Sequence, residues 1–288
     1  MTAPVPVRIT DPDDARLAGY VGLTDRQVRR RSEGGAGIFV VESRLALEQL
    51  LASNFEVASV LVATNQWDWV RRLLTATAGP APPVYVADPR VLATVAGFNV
   101  HRGVVALGRR RPDADPHQLL AAATAAGARA VVVTEGVNNH ENLGAIFRNA
   151  AAFGAGAVLV DPTTCDPLYR RSIRVSLGHV LRVPFARLEP WPAALADLRA
   201  DGWTTVALTP AADAEAVDDL ATAELGPVAV LVGAEGPGLA AGTLEAAEHR
   251  VRIPLAAGVD SVNVATATAI VLHRLGGPRP GQRFAGNG

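Results

Sequence analysis

Short runs of β-branched and other apolar residues alternate with longer amphipathic stretches along most of this chain, the pattern of strands alternating with helices. In the first hundred residues it predicts a polar helix over 8–32, capped by Asp11. After it come a buried strand at 37–42, a helix at 43–51, a strand at 57–62 and a helix at 67–74. A strand at 83–86, a helix at 88–95 and a strand at 101–108 close this smaller α/β unit. The stretch Arg109–Pro116 is charged, bounded by prolines and without apolar period, as a linker is.

Beyond the linker the alternation becomes regular, which predicts a mostly parallel sheet with helices on both faces. Strands are expected at 130–134, 157–160, 181–183, 204–207, 228–232 and 251–253, and helices at 142–153, 167–176, 191–201, 239–247 and 261–275. The division that follows is a first domain over 1–110, a linker at 111–117 and a second domain over 118–288, whose Gly- and Pro-rich end, 276–288, is a flexible tail. No internal repeat is visible.

The 288 residues suffice for two cores. Hydrophobic residues make up 49%, yet no apolar run approaches the ~18–20 residues of a bilayer span. Pro4, Pro6, Asp11 and Asp13 stand where a signal peptide would be apolar. The expectation is a cytoplasmic protein without a membrane partner. Its single cysteine, Cys165, sits beside Asp161 and Asp166, which oppose a thiolate, so it reads as structural. The six histidines are scattered and give no metal-ligand spacing, so no metal is expected.

All 27 basic side chains are arginine. Residues 1–182 carry 20 of them against 16 acids, and 183–288 carry 7 against 12. Codon bias in a GC-rich genome explains the missing lysine. The clusters Arg29-Arg30-Arg31, Arg109-Arg110-Arg111 and Arg170-Arg171 with Arg174 nevertheless suit phosphate, because a guanidinium grips it bidentately.

No dinucleotide fingerprint, Walker sequence or nucleophile elbow is present; Gly154-Ala155-Gly156 and Gly35-Ala36-Gly37 both run into strands, the wrong order. Three segments near the carboxyl ends of expected strands carry the chemistry instead. The first is Asn142-Leu143-Gly144 with Arg148 less than two helical turns on. Next is the turn Gly233-Ala234-Glu235-Gly236-Pro237-Gly238-Leu239. A phosphate cradle avoids a carboxylate, so this turn suits an uncharged or cationic ligand; Glu235 alternatively caps the helix after Pro237. The last is Ile253-Pro254-Leu255 followed by Ser261-Val262-Asn263, where Ser261 reads as a helix cap and Asn263, two residues into an apolar helix, has no local reason to be there.

These three segments, in this order, resemble the three motifs of the SpoU branch of the SPOUT RNA methyltransferases, the TrmH family, over residues 128–275. Residues 8–108, ending in His101-Arg102-Gly103-Val104-Val105-Ala106-Leu107, resemble the L30e-like RNA-binding domain of family members acting on ribosomal RNA, the thiostrepton-resistance methyltransferases included. The sequence departs from the family at Asn139-His140-Glu141, where an acid–proline pair is common, at Val262, where leucine is commoner, and at His179, usually small.

The resemblance implies a parallel sheet whose carboxyl end forms a deep trefoil knot. It implies a homodimer that takes S-adenosylmethionine into the knot and methylates a ribose 2′-OH of structured RNA, 23S ribosomal RNA rather than transfer RNA. Leu208, Thr209, Gly233, Gly236, Gly238, Ile253, Leu255 and Val262 would hold the cofactor. Arg148 would be the catalytic arginine, with Asn142, Glu235, Ser261 and Asn263 completing the site. Arg29, Arg30, Arg102, Arg170, Arg171 and Arg174 would meet the RNA. The alternatives are a transfer-RNA methyltransferase and a non-catalytic RNA-binding or assembly protein of the same fold.

Overall fold

The computed structural model describes residues 5–23, 37–98, 100, 102–220 and 225–276. Contacts divide the chain into two compact units: Met1–Pro112 with Leu168–Arg182, and Asp113–Pro167 with Val183–Gly288. The segment Leu168–Arg182, expected within the second domain, therefore packs with the first.

In the first unit the strands are β1 (Val7–Ile9), β2 (Ile38–Glu42), β3 (Val57–Ala63), β4 (Val84–Ala87) and β5 (Val104–Arg109). They form one mixed sheet in the order β1-β4-β3-β5-β2. Helices α1 (Arg44–Leu51), α2 (Trp67–Ala76) and α3 (Pro89–Ala96) intervene. Its core gathers Tyr20, Leu61, Leu92 and Val105, all almost fully buried. Where a helix over 8–32 was expected, the chain forms β1, paired parallel with β4, and a 3-10 helix at Ala15–Tyr20 capped by Asp14. A three-residue edge strand owes its existence to a partner about eighty residues away, which a local pattern does not reveal. The remainder of that expected helix, with Arg29 and Arg30, lies outside the described residues.

The second unit contains α4 (Pro116–Ala125), β6 (Ala130–Glu135), α5 (His140–Phe153), β7 (Val158–Val160), β8 (Phe185–Arg187), α7 (Leu195–Ala200), β9 (Thr204–Leu208), β10 (Glu215–Ala216), β11 (Val228–Gly233), α8 (Ala241–Ala246), β12 (His249–Arg252) and α9 (Val264–Val271); α6 (Arg170–Val175) belongs to the first unit. Seven strands lie in the order β10-β12-β9-β11-β6-β7-β8, and every pairing is parallel. The central strands β6 and β11 are buried along almost their whole length, as the continuous apolar runs Ala130–Val133 and Val228–Val232 require of strands covered on both faces.

Several boundaries moved. The linker is shorter than expected, because Asp115 accepts hydrogen bonds from the amides of His117 and Gln118 and starts α4 at Pro116. The strand expected at 181–183 forms later, at Phe185–Arg187, because Gly178 turns the chain at φ 84° into a 3-10 turn, His179–Leu181. Two prolines, Pro190 and Pro192, delay the helix expected from 191 until Leu195. The tail from 277 onward lies outside the described residues. Among those described, no helix is long and apolar enough to cross a membrane.

One surface pair ties α4 to the end of α7. His117 Nδ1 lies 2.9 Å from Asp201 Oδ2, and this hydrogen bond, outweighing slight burial, raises the imidazole pKa above its ordinary value of 6.5. The pair's small stabilisation is therefore fully present below pH 6.5 and is lost as pH rises through the folded-state value. An NMR titration is expected to place the His117 midpoint above 6.5 and the Asp201→Asn variant's midpoint back near it. An unshifted midpoint in the unaltered protein would show that the pair does not form in solution.

Candidate active site

The neighbouring order β12-β9-β11-β6 sets four carboxyl ends side by side, the edge at which ligands bind in open α/β sheets. Leu208 ends β9, Gly233 ends β11, Glu135 ends β6, and Ile253 follows β12. Gly233 and Glu135 are register partners, and the amide of Thr209 donates to the carbonyl of Val251 at 3.0 Å. Leu208, Thr209, Gly233 and Ile253, far apart in sequence, are thus brought to one rim.

From that rim the turn after β11 folds back on itself. The amide of Gly238 donates to the carbonyl of Ala234 at 3.0 Å, with Gly236 and Gly238 at φ 93° and 71°, conformations L side chains rarely adopt. A Cβ at Gly233 would lie 2.1 Å from the carbonyl carbon of Gly238 and 2.3 Å from the amide of Leu239. The turn therefore presents bare backbone at its inner edge and the exposed carboxylate of Glu235 at its tip.

Helix α5 supplies the facing wall. Asn139 caps it through the amides of Glu141 and Asn142, so the helix begins two residues earlier than expected and turns Asn142 inward, 7% exposed. The Asn142 Nδ2 donates to Glu235 Oε2 at 3.0 Å, and its Oδ1 accepts from Asn263 Nδ2 at 2.9 Å. Three of the expected site residues, from three separate segments, therefore form one hydrogen-bonded chain. Asn263 turns out to have a local role: it is the cap of α9, its Oδ1 accepting from the amide of Ala265 at 2.9 Å. Ser261 is not the cap; it is exposed, three residues before the helix, and Val262 beside it is half-buried. Leu255 is 37% exposed.

Arg148 lies farther along α5, exposed, with no hydrogen bond or ion pair to another described residue. The structure does not bring it into contact with Asn142 or Glu235. Six residues of helix rotate it about 120° from Asn142, so the two leave α5 in different directions.

Sequence reasoning missed three side chains. Glu135 accepts from Trp191 Nε1 at 2.9 Å, Thr243 Oγ1 at 3.1 Å and the amide of Ala240 at 3.1 Å. It thus braces the start of the helix after Pro237, whose N-cap residue Ala240 offers no side-chain cap, while Glu235 bonds to Asn142. The signal was a lone acid closing the strand run Ala130–Thr134. Asn149 Nδ2 donates to the carbonyl of Ala265 at 2.7 Å; seven residues from Asn142, it lies on the same helical face. Asp161 is 1% exposed; burial pushes its carboxyl up, but the Thr163 and Thr164 hydroxyls and the amides of Gly136 and Thr163 outweigh it and hold the carboxyl below its ordinary range. These bonds shape the loop beyond β7.

Cys165 follows that loop, and burial, assisted by Asp166, pushes its thiol up to about 12, the opposite of an activated nucleophile. Of the expected RNA contacts, Arg102, Arg171 and Arg174 are exposed. Arg170 is instead half-buried and paired: it lies 2.5 Å from Glu42, its side chain 17% exposed, with its guanidinium carbon 4.8 Å over the Phe98 ring.

The chain matches the SpoU rRNA Methylase family over residues 129–273. It is 41% identical over 266 residues to an uncharacterized tRNA/rRNA methyltransferase of Mycobacterium tuberculosis strain H37Rv, covering 92% of this chain and 90% of that one. It is 27% identical over 237 residues to the 23S rRNA (guanosine-2′-O-)-methyltransferase RlmB of Photobacterium profundum, covering 82% and 94%. Its fold is similar to the crystal structure of an AdoMet-bound rRNA methyltransferase from Sinorhizobium meliloti, with a TM-score of 0.74, 24% identity, and coverage of 93% and 97%.

Proposed function

This chain belongs to the SpoU rRNA Methylase family and is an RNA methyltransferase, and we propose that it transfers a methyl group from S-adenosylmethionine to a ribose 2′-hydroxyl of 23S ribosomal RNA. The observation that carries the proposal is the chain Glu235–Asn142–Asn263, which joins segments 93 and 121 residues apart beside a bare-backbone turn. The ribose and 23S assignments are supported by the similarity to RlmB, a 23S rRNA (guanosine-2′-O-)-methyltransferase. The cofactor is supported by the AdoMet-bound neighbour of the same fold.

The residues at the rim fit S-adenosylmethionine. The turn Gly233–Leu239 offers backbone donors and acceptors with an acid and no basic side chain, which suits a phosphate-free adenosine and a cationic sulfonium better than a nucleotide. Gly233, Gly236 and Gly238 would hold it with Leu208, Thr209, Ile253, Leu255 and Val262. When bound, it supplies an electrophilic methyl carbon: a C–O bond to the ribose forms as the C–S⁺ bond breaks.

The ribose 2′-OH is a poor nucleophile and gives up its proton to solvent as the bond forms, so the protein must align it and stabilise the oxygen's growing negative charge. Arg148 serves this from α5. Its role is electrostatic, stabilising that charge and clamping the adjacent phosphate through the bidentate fork of a guanidinium. Asn142 and Asn263 fix the position of Glu235 on the RNA side of the turn, and Ser261 completes the rim. Homodimerisation, an L30e-like first unit, a knotted carboxyl end and a cytoplasmic location belong to the same proposal.

Calorimetry and methyl transfer from labelled S-adenosylmethionine test it together. The expected outcome is cofactor binding, label incorporated into unmodified 23S ribosomal RNA rather than transfer RNA, and a single 2′-O-methyl nucleotide by mass spectrometric mapping. Label in transfer RNA alone would overturn the substrate, label on a base the reaction, and absence of cofactor binding the whole proposal.

A further inference from the structure

Arg44 opens α1 on the surface of the first unit, one helical turn before Glu48, the natural i,i+4 ion-pair partner. It does not pair there. Its Nε donates to Gln66 Oε1 at 3.0 Å, its Nη2 donates to the same oxygen, and its guanidinium carbon stands 4.8 Å over the ring of Trp69. The charge is thus held in place by a neutral amide and an aromatic face, with no carboxylate partner among the described residues, while the side chain stays exposed.

The surroundings are built to the same end. Ser43, immediately before Arg44, is at φ 94° and ψ 157°, a conformation rare outside glycine, and such strain gathers where a precise side-chain position is needed. The turn Thr64–Gln66 between β3 and α2 exposes Thr64 and Asn65, and half-exposes Trp67 and Trp69. Gly103 is pressed against this turn: a Cβ there would lie 2.9 Å from Ala63 Cβ and 3.0 Å from Gln66 Cγ, which brings the exposed Arg102 alongside. Arg71 and Arg72 follow Trp69 on α2, with Asp68 the acid among them. Arg71 pairs with Asp68 at 3.8 Å, whereas Arg72 and Arg102 are exposed. Tryptophan and stacked arginine beside exposed arginines and an exposed amide are the chemistry of unpaired nucleotides, whose bases stack on such faces while arginines meet the phosphates.

We propose that Trp69, Arg44 and Gln66 form a stacking platform on which the first unit receives an unpaired base of the RNA, with Arg102 and Arg72 on its backbone. This rests on RNA being the substrate and adds where, and in what form, a second part of it is held. A helical duplex, with its bases stacked internally, does not fit the platform.

The test is fluorescence anisotropy with the full-length protein and three labelled ten-nucleotide probes: oligoadenylate, the corresponding abasic strand, and an A-form duplex. Trp69→Ala and Arg44→Ala are each expected to weaken oligoadenylate binding about tenfold, with less than twofold change on the duplex. Trp69→Ala leaves the abasic strand unchanged, and Trp69→Phe, which keeps a ring, restores most of the loss and controls for folding. Oligoadenylate binding unaltered in both alanine variants overturns the platform, as does equal loss on the abasic strand, which marks phosphate contact only. Either result with methyl transfer to 23S RNA intact leaves the proposed function standing; loss of RNA binding and methyl transfer in the unaltered protein overturns both.

Discussion

Gly233→Ala is expected to eliminate measurable binding of S-adenosylmethionine, a loss of at least about 100-fold, while Gly236→Ala weakens it only several-fold. Both positions are glycines of one turn, but their reasons differ. Gly236 needs glycine for its φ of 93° and has open space around it, so an added methyl meets only backbone strain, about 1–2 kcal/mol. Gly233 has ordinary backbone angles, and its methyl would stand 2.1–2.3 Å from three backbone atoms of Gly238 and Leu239. Main-chain atoms cannot rotate aside as a side chain can, so the turn must open. Opening separates Ala234 from Gly238 and moves Glu235 off Asn142. The result should read as lost cofactor affinity by calorimetry with the sheet still folded by circular dichroism. Cofactor affinity within a few-fold of normal in Gly233→Ala would remove the turn from the cofactor site.

Glycine spacing made that turn legible in the sequence, whereas its anchoring was not. The runs Ala130–Val133 and Val228–Val232 announce buried strands because a strand covered on both faces needs no polar alternation, and a mostly parallel sheet follows; the two-residue edge strand β10, Glu215–Ala216, was not among the six strands expected. Elements whose limits depend on distant partners were misplaced: β1 exists through β4, and β8 waits for the chain to clear Gly178 and Pro184. The site shows the same division. Asn142, Glu235 and Asn263 were visible as polar residues in unlikely places, yet Asn263 does two things at once, capping α9 through Oδ1 and holding Asn142 through Nδ2. A side chain with a local and a long-range role looks, in sequence, like one lacking any local role. Glu135 and Asn149 escaped notice because both bond to backbone atoms more than 100 residues away, Ala240 and Ala265. Arg170 looked like its neighbours Arg171 and Arg174 until Glu42 and Phe98 claimed it.

Arg148→Ala is expected to lower the rate constant for methyl transfer about 100- to 1,000-fold, the cost of removing one preorganised charge from a developing oxyanion. Affinity for S-adenosylmethionine and thermal stability should be unchanged within error. The separation follows from its surroundings. Arg148 is exposed and bonds to no described residue, so its loss leaves no buried group unsatisfied. The residues on either side are fixed: Phe147 is fully buried and meets the Phe185 ring edge-on at 5.8 Å, and Asn149 is bonded to the carbonyl of Ala265. The backbone that carries the guanidinium is thus clamped from both neighbours while the group itself stays free for substrate, so little reorganisation is required when RNA arrives. Arg148→Lys keeps the charge but not the bidentate fork and should recover only part of the rate. Near-normal methylation by Arg148→Ala would end the case for this arginine, and an equal fall in cofactor affinity would assign it to binding instead of the chemical step.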